Sequence, residues 1–362
     1  MKSKKNSILN LTFVGLVVIT SLQMRAGNPE RSGQAGGSQL LINPYARSAG
    51  WAGANIARAR GLESQFTNVA GLAFTRKTEV MFTQSTWLVS GVNISNFGFS
   101  QRVGETGAIG LGFTSINAGK IDRTTVDNPE PVLGTFSPRF LNIAVSYAKG
   151  FSDNIYGGVT VRILSEGIDN SKAQGVALDG GIQYHTGKYD QFHLGFSFKN
   201  WGPKMQNKGD GLSIQSTIKN NAYGNEYEYS VNNKSAAYEL PALLNIGAAY
   251  DFYLTKDTTG RLKTQRLTVA GNFTSNSFTK DNFLVGVEYG WKEIIMVRAG
   301  MIAEKGLFGG DATKTNIFTG PSCGATFELP IGAKKSTFGL DYSYRFTNPF
   351  RGVHSFGARI NF

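Results

Sequence analysis

The chain has 362 residues, of which 41% are hydrophobic, 12% aromatic and only 17% charged. This composition excludes a disordered chain, and 45 glycines do not suit a helical bundle. The formal net charge of +12 does not indicate nucleic-acid binding, because Lys and Arg are scattered along the chain rather than clustered. Many glycines and aromatic residues with few charges instead favour a large β-structure with tight turns.

Residues 1–26 have the pattern of a secretory signal peptide. Three lysines within the first five residues precede a mostly apolar stretch from Ile8 to Leu22, and Ala26 suits cleavage. No later window approaches ~18 uninterrupted apolar residues, so we expect no helical membrane span. An exported chain of this kind is either a soluble periplasmic protein or a barrel, which satisfies its backbone hydrogen bonds within lipid.

The residues that follow the signal peptide lack the alternation of strands. Residues 27–39 are polar and glycine-rich, which predicts a flexible lead-in. Residues 40–75 are rich in small residues and include a short helix and turn over 61–74, which predicts a compact plug segment. The expected organisation is a signal peptide over 1–26, a lead-in and plug segment over 27–75, and an outer-membrane β-barrel over 76–362.

From Thr78 onward, runs of alternating apolar and polar residues follow one another with turn residues between them. We predict an all-β fold, a transmembrane antiparallel barrel of about fourteen strands, since single-chain outer-membrane barrels have an even number. The predicted strands are 78–88, 92–102, 106–116, 138–149, 155–166, 175–185, 190–200, 242–253, 264–275, 282–290, 294–303, 316–328, 336–346 and 353–362.

The lengths of the connections agree with a barrel. Those after even-numbered strands are mostly short, such as residues 103–105 and 291–293, whereas 117–137, 201–241 and 304–315 follow odd-numbered strands. Outer-membrane barrels whose two chain ends are periplasmic have short inner turns and long outer loops. We therefore expect this location and orientation. The 201–241 segment is either a structured loop that contacts a partner or a mobile surface loop.

Residues 336–362 are predicted to form the hairpin that closes the barrel. In each arm, alternate residues form one apolar face and one polar face. The chain ends on an aromatic residue without a tail, as expected if the last strand pairs with the first. The same alternation fits a soluble β-sandwich, so a soluble periplasmic β-protein remains the alternative. The apolar face of the barrel-closing strand consists of Phe356, Ala358, Ile360 and Phe362.

The sequence has no motif for catalysis or for a cofactor. His185, His193 and His354 lack metal-ligand spacing, and we expect them in the lumen or at an interface. The glycine-rich residues 107–112 lack the following helix of a phosphate-binding loop. The lone Cys323 cannot form an intramolecular disulfide, and we expect a small buried or lipid-facing residue. The chain is therefore not expected to be an enzyme or to bind a cofactor or metal.

The plug segment carries a family resemblance. The motif from Leu41 to Gly50 (LINPYARSAG), followed by Gly53-Ala54 and by residues 68–73 (NVAGLA), resembles the PorV/PorQ family of outer-membrane proteins, which is related to the FadL-type transporters. This chain departs from the family in two places. Val69 stands where the family has proline in an Asn-Pro-Ala-Gly turn, and Tyr45 stands where PorV-like members tend to carry Asp.

The resemblance implies a role in or beside type IX protein secretion, as a non-enzymatic barrel that scaffolds neighbouring components or receives secreted cargo. The implied partners are secretion components or cargo, with outer-membrane lipid and lipopolysaccharide around the barrel. The alternative is a FadL-like channel for uptake of hydrophobic small molecules. In that case Trp51, Phe66 and Phe74 could line a pocket for an apolar ligand, or they could pack the plug itself.

Arg47 is a charged residue in a plug segment that is otherwise mostly small and apolar. An unpaired buried charge is costly, so we expect its guanidinium to contact backbone carbonyls or a carboxylate on the inner wall. The candidate carboxylates, at strand positions predicted to face the lumen, are Asp179, Glu288 and Asp341. The residues predicted to form the plug site are Asn43, Pro44, Arg47, Gly50, Trp51, Gly53, Phe66, Asn68, Ala70 and Gly71.

Overall fold

The fold was analysed in a computed structural model. The structure describes residues 27–87, 91–130, 134–219, 226–254, 265–306, 314–332, 336–348, 350 and 352–362. The predicted signal peptide over 1–26 lies outside these residues. Among the described helices, none has the length and apolar character needed to cross a membrane.

Fourteen antiparallel strands form one closed barrel, which confirms the predicted fold and strand count. The first and last strands of the chain pair directly, with Val80 opposite Ile360 and Phe82 opposite Ala358. The barrel strands are β1 Thr78–Thr86, β2 Asn93–Val103, β3 Gly107–Asn117, β6 Arg139–Gly150, β7 Ile155–Ile168, β8 Ser171–Thr186, β9 Phe192–Trp201, β12 Leu243–Tyr253, β13 Gln265–Asn276, β14 Asn282–Trp291, β15 Ile295–Glu304, β16 Gly320–Ile331, β17 Ser336–Arg345 and β18 Val353–Asn361.

Two long connections contain small sheets that the sequence did not indicate. The connection after β3 contains a pair of very short strands, and the connection after β9 contains a longer hairpin. The bounds are β4 Ile121–Asp122, β5 Thr135–Phe136, β10 Ser213–Lys219 and β11 Glu226–Asn232. A 3-10 helix, Asp210–Leu212, precedes β10. Part of the 201–241 segment is therefore a structured hairpin.

Two strand boundaries differ from the prediction for identifiable reasons. The strand expected from residue 316 begins at Gly320, because Glu304 accepts hydrogen bonds from the backbone of Thr315 and Asn316 and holds them in a turn. The sixth barrel strand begins at Ser171 rather than residue 175. Asp169 there adopts a left-handed conformation with φ of 50°, which permits a very short turn between β7 and β8.

The wall is apolar outside and polar inside. Outward side chains are exposed over about half their surface, for example Phe82 at 50%, Val285 at 57% and Phe356 at 58%. Inward side chains such as Ser100 and Gln183 are polar and buried. A soluble β-sandwich has the opposite polarity, whereas an outer-membrane barrel has this one, so the structure excludes the soluble alternative.

The residues before β1 form short helical turns that pack against the inner side of the wall. The segment around Ala46–Gly50 contacts β15 to β18, and Val69–Phe74 contacts β3 and β6 to β8. These elements are the 3-10 helices Pro29–Arg31, Ser38–Leu41, Gly61–Glu63 and Val69–Phe74, and the α-helices α1 Ala46–Gly50 and α2 Ser64–Thr67.

Candidate functional site

Glycines of the wall let the plug backbone approach the strands closely. A Cβ at Gly300 would lie 2.4 Å from the carbonyl carbon and oxygen of Trp51, and one at Gly195 would lie 2.7 Å from the Cα of Ala57. Atoms do not approach so closely without a shift. A glycine in a strand often marks such a backbone contact, so these wall glycines position the plug.

The Asn43-Pro44 turn is held by strands on the first and last parts of the barrel. Thr83 on β1 donates a 2.8 Å hydrogen bond to the carbonyl of Pro44, and Arg345 on β17 donates to the carbonyl of Asn43 at 3.2 Å. The amide of Asn43 also donates to Ser48 Oγ at 2.9 Å. Further along the plug, the carbonyl of Gly50 accepts a 3.2 Å hydrogen bond from Ser322 Oγ.

The turn after α1 is tightened by glycine. Gly53 has a φ of 78°, and its N–H donates to the carbonyl of Ser48 at 3.1 Å. Trp51 is buried in an apolar cluster with Ala54 and Leu284 rather than facing an open space. Trp51 therefore packs the plug against the wall.

Asn68 fixes the turn in which this chain lacks the family's proline. Its side-chain oxygen accepts from the Ala70 N–H at 3.3 Å, which caps the helix Val69–Phe74. Its side-chain nitrogen donates to the wall carbonyls of Ile182 at 3.0 Å and Phe196 at 3.3 Å. Gly71 completes the turn, since its N–H donates to the carbonyl of Asn68 at 3.0 Å. Side-chain hydrogen bonds thus hold the turn that proline would constrain.

Arg47 finds its nearest carboxylate within the plug rather than on the wall. Its Nε lies 3.9 Å from Glu63 Oε1, and a terminal nitrogen lies 3.8 Å from the sulfur of Met296. The carboxylates of Glu288 and Asp341 act on Arg47 only at longer range. The sequence prediction placed the partner carboxylate on the wall, whereas the nearest carboxylate, that of Glu63, belongs to the plug itself.

The three predicted partners of Arg47 are engaged by side chains of the wall. Asp179 lies 2.6 Å from Arg162. Asp341 accepts a hydrogen bond from Thr326 Oγ1. Glu288 bridges two guanidinium groups, as described in the next paragraph. Each of these three carboxylates is therefore compensated by a group on a neighbouring strand.

The charged groups of the lumen form a network in the half of the barrel with short turns. Glu288 lies 2.7 Å from Arg266 and 2.9 Å from Arg298. Asp251 lies 3.0 Å from Arg58 of the plug and 3.2 Å from the ring of His193. The sequence did not indicate Arg58 or Asp251 as functional residues, although Asp251 lies on the inward-facing side of a predicted strand. The network links the plug to the wall.

The other half of the lumen contains a cavity of about 370 Å³ between plug and wall. It lies at the end with the longer connections, since Asn276, Asn282 and Arg345 at the strand ends there line it. Among the predicted plug residues, Asn43, Gly53 and Phe66 line this cavity. Phe74 does not; its ring stacks on His185 with centroids 5.0 Å apart.

Two buried cations line the cavity, each against an aromatic ring. Lys199 Nζ lies 3.6 Å from the centroid of the Phe66 ring, and the guanidinium carbon of Arg345 lies 4.0 Å from that of Phe318. No Asp or Glu is among the described residues that line the cavity. In the described part of the chain, neither cation forms an ion pair with a carboxylate within 4.0 Å. The cavity therefore presents two basic side chains and no acidic one among its described lining residues.

The cavity also presents buried polar atoms without hydrogen-bond partners among the described residues. These atoms are the side-chain oxygens of Asn272 and Asn282 and the Nε of Arg345. A buried polar atom without a partner costs free energy, so a ligand that supplies both N–H donors and an anionic acceptor would be stabilised here. Across the described residues, no group of three or more His, Cys, Asp and Glu could hold a metal ion.

The comparison with solved structures finds proteins of the same fold. A FadL homologue of Pseudomonas aeruginosa has a TM-score of 0.52 at 12% identity, covering 89% of this chain and 99% of that one. The toluene transporter TodX of Pseudomonas putida has a TM-score of 0.52 at 9% identity, covering 88% of this chain and 97% of that one. At such identities the similarity shows the fold alone.

The comparison with family models identifies the family. The model described as type IX secretion system protein PorV matches residues 28–268, about two thirds of the chain. Comparison with curated proteins finds no match. The family match includes the plug segment in which the resemblance was recognised, and it agrees with the barrel seen in the structure. The chain is an outer-membrane β-barrel and belongs to the PorV family of type IX secretion system proteins.

Proposed function

We propose that the protein is a non-enzymatic receiving subunit of a type IX secretion system, whose cavity accepts an extended, carboxylate-bearing segment of secreted cargo. The observation that carries this proposal is the cavity with two buried cations and no acidic side chain among its described lining residues. A polypeptide segment supplies a carboxylate for Lys199 and Arg345 together with backbone N–H donors for the side-chain oxygens of Asn272 and Asn282.

The proposed orientation places both chain ends and the short turns in the periplasm, with the cavity end outside. The plug contacts β1, β3, β6 to β8 and β15 to β18, and the charge network lies in the half of the lumen with the short turns. In this arrangement the cargo segment enters from the cell surface, contacts the cavity and does not pass through the plug. The barrel then holds cargo rather than conducting it.

Removing the two cations is expected to weaken cargo capture. Each charge-assisted hydrogen bond contributes about 1.5–3 kcal/mol, so Lys199→Gln combined with Arg345→Gln should reduce capture of a secreted signal domain by roughly tenfold or more. Capture is measured by affinity isolation from detergent-solubilised outer membranes with the purified signal domain. The matched control combines Lys77→Gln with Lys188→Gln, which removes two exposed cations at the short-turn end. Equal capture by both double variants would contradict the proposal.

A second candidate function is passage or storage of a hydrophobic small molecule. It is favoured by the apolar part of the cavity lining, to which Ile42, Phe66, Trp87 and Phe318 belong. Native mass spectrometry of the purified barrel would then show a bound apolar ligand, and uptake of that ligand would fall in a deletion strain. If no such ligand is found and uptake is unchanged, this candidate is removed.

The proposed orientation makes a prediction about surface labelling. In a Cys323→Ser background, Tyr229→Cys in β11 should react with a membrane-impermeant maleimide on intact cells, because Tyr229 is exposed on the external hairpin. Glu105→Cys, in the short turn between β2 and β3, should react only after the outer membrane is permeabilised. The reverse labelling pattern would show that the barrel has the opposite orientation.

A further inference from the structure

The outer surface of the wall has a deep hollow across strands β6 to β9. Its volume is about 550 Å³, and its surface is almost entirely apolar. The hollow lies in the belt of outward apolar side chains that faces lipid. The residues that line it are Tyr147, Lys149, Phe151, Gly157, Gly158, Val159, Gly180, Gly181, Ile182, Phe196 and Phe198.

Gly180 leaves the hollow open, whereas the ring of Phe151 covers the outward glycine of the neighbouring strand, Gly157. Gly180 on β8 stands opposite Val159 on β7, and Gly157 on β7 stands opposite Ile182 on β8. A Cβ at Gly180 would have no atom within 4 Å, so the space outside it is open. The wall cannot shift inward to close the space, because Gly181 behind it is in close contact with Asn68 of the plug.

Aromatic side chains form the rim of this open space. Tyr147, Phe151 and Phe196 are exposed by 46%, 71% and 44%, so they project outward around the glycines. Aromatic side chains around the open position at Gly180, with Val159 and Ile182 beside it, form an apolar hollow suited to a flexible hydrocarbon chain. The large side chains of a packed protein partner would have to match that shape closely, whereas an acyl chain adapts to it.

A single cation stands at one end of the hollow, at the short-turn edge of the wall. Lys149 is exposed and projects outward, and it pairs across the sheet with Gly107 on one side and Gly157 on the other. The side chain of Tyr147 lies over Gly107 and the ring of Phe151 lies over Gly157, so these two side chains flank Lys149. The hydroxyl of Tyr147 lies on the same outward parity, two residues earlier. A lysine at the edge of an apolar belt is placed to meet a lipid headgroup.

We propose that this hollow is a binding site for one phospholipid molecule. An acyl chain lies over Gly180 between the aromatic side chains, and the phosphate contacts the ammonium of Lys149 and the hydroxyl of Tyr147. The phospholipid is favoured over lipopolysaccharide because the cation is at the short-turn end, which faces the periplasmic leaflet in the orientation proposed above. The site is on the outer surface and is independent of cargo binding in the lumen.

The test is native mass spectrometry of the full barrel released from nanodiscs of phosphatidylethanolamine and phosphatidylglycerol. The wild-type protein should retain one phospholipid. Lys149→Gln should reduce the retained fraction about fivefold, since it removes one cation near a headgroup, and Lys149→Arg should restore it. Gly180→Leu fills the hollow and should reduce retention about tenfold.

Two variants serve as matched controls. Gly271→Leu adds the same side chain at an outward glycine on β13 that also has no atom within 4 Å of its Cβ, and Lys77→Gln removes a cation away from the hollow. Both should retain the phospholipid. Heat-modifiability on gels shows which variants are folded, and only folded ones are compared.

Equal retention by Lys149→Gln, Gly180→Leu and the controls would overturn the proposal. Retention of lipopolysaccharide instead of phospholipid, in barrels purified from native outer membranes, would overturn the assigned lipid class. Cargo capture should be unchanged in Gly180→Leu, because the hollow lies outside the wall. Failure of the lipid site is therefore distinguishable from failure of the proposed secretion role.

Discussion

Replacing Glu288 with alanine is expected to lower the free energy of unfolding by about 3 kcal/mol. Glu288 is buried in the lumen and accepts hydrogen bonds from Arg266 at 2.7 Å and from Arg298 at 2.9 Å. Its removal leaves two buried guanidinium groups with less compensation. The loss should be near the lower end of the ~3–5 kcal/mol range for broken buried pairs, because Arg266 also contacts Glu293 at 2.8 Å.

The measurement is urea-induced unfolding of the barrel in liposomes, followed by tryptophan fluorescence and by the heat-modifiable shift on gels. Glu105→Ala is the control, since Glu105 lies in an exposed turn and a change there should stay within about 0.5 kcal/mol. Glu288→Gln should be intermediate, because the amide oxygen can still accept one hydrogen bond. A loss below about 1 kcal/mol for Glu288→Ala would show that the network contributes little to stability.

The barrel was predictable because strand alternation is a local property of the sequence. Residues 285–289 alternate between apolar and other residues, and the structure indeed places Val285 and Val287 outward and Glu288 inward. The start of β16 was not predictable in the same way. Its position depends on hydrogen bonds from Thr315 and Asn316 to Glu304, which are contacts between separate turns of the chain.

The pairing of Glu288 depends on the exact bounds of one hairpin turn. The predicted turn at 291–293 would place Glu288 opposite Met296, whereas the structure pairs Trp291 with Ile295 and so places Glu288 opposite Arg298. Opposite charges at such positions attract. The contact between Arg47 and Glu63 and the cavity beside Lys199 could not have been found, because both depend on how the plug sits within the closed barrel.

Replacing Gly300 with valine is expected to displace the plug from the wall. The new Cβ would lie 2.4 Å from the carbonyl group of Trp51 and 2.8 Å from the nitrogen of Ala52, and backbone atoms cannot move aside singly. Overpacking of this kind costs about 1–3 kcal/mol, which raises the population with a displaced plug by roughly 5–150-fold. Single-channel recordings in planar bilayers should show a corresponding increase in open-channel events.

Gly195→Val tests the same idea on β9, four strands away from β15 in the barrel, where the added Cβ would lie 2.7 Å from the Cα of Ala57. Gly271→Val is the control, because its outward Cβ meets no atom within 4 Å and the strand gains the same β-branched residue. If all three variants give the wild-type current, the wall glycines do not position the plug. If Gly300→Val and Gly195→Val increase open-channel events and Gly271→Val does not, the close backbone contacts at Trp51 and Ala57 keep the lumen closed. All three variants gain the same valine side chain, so only its position differs.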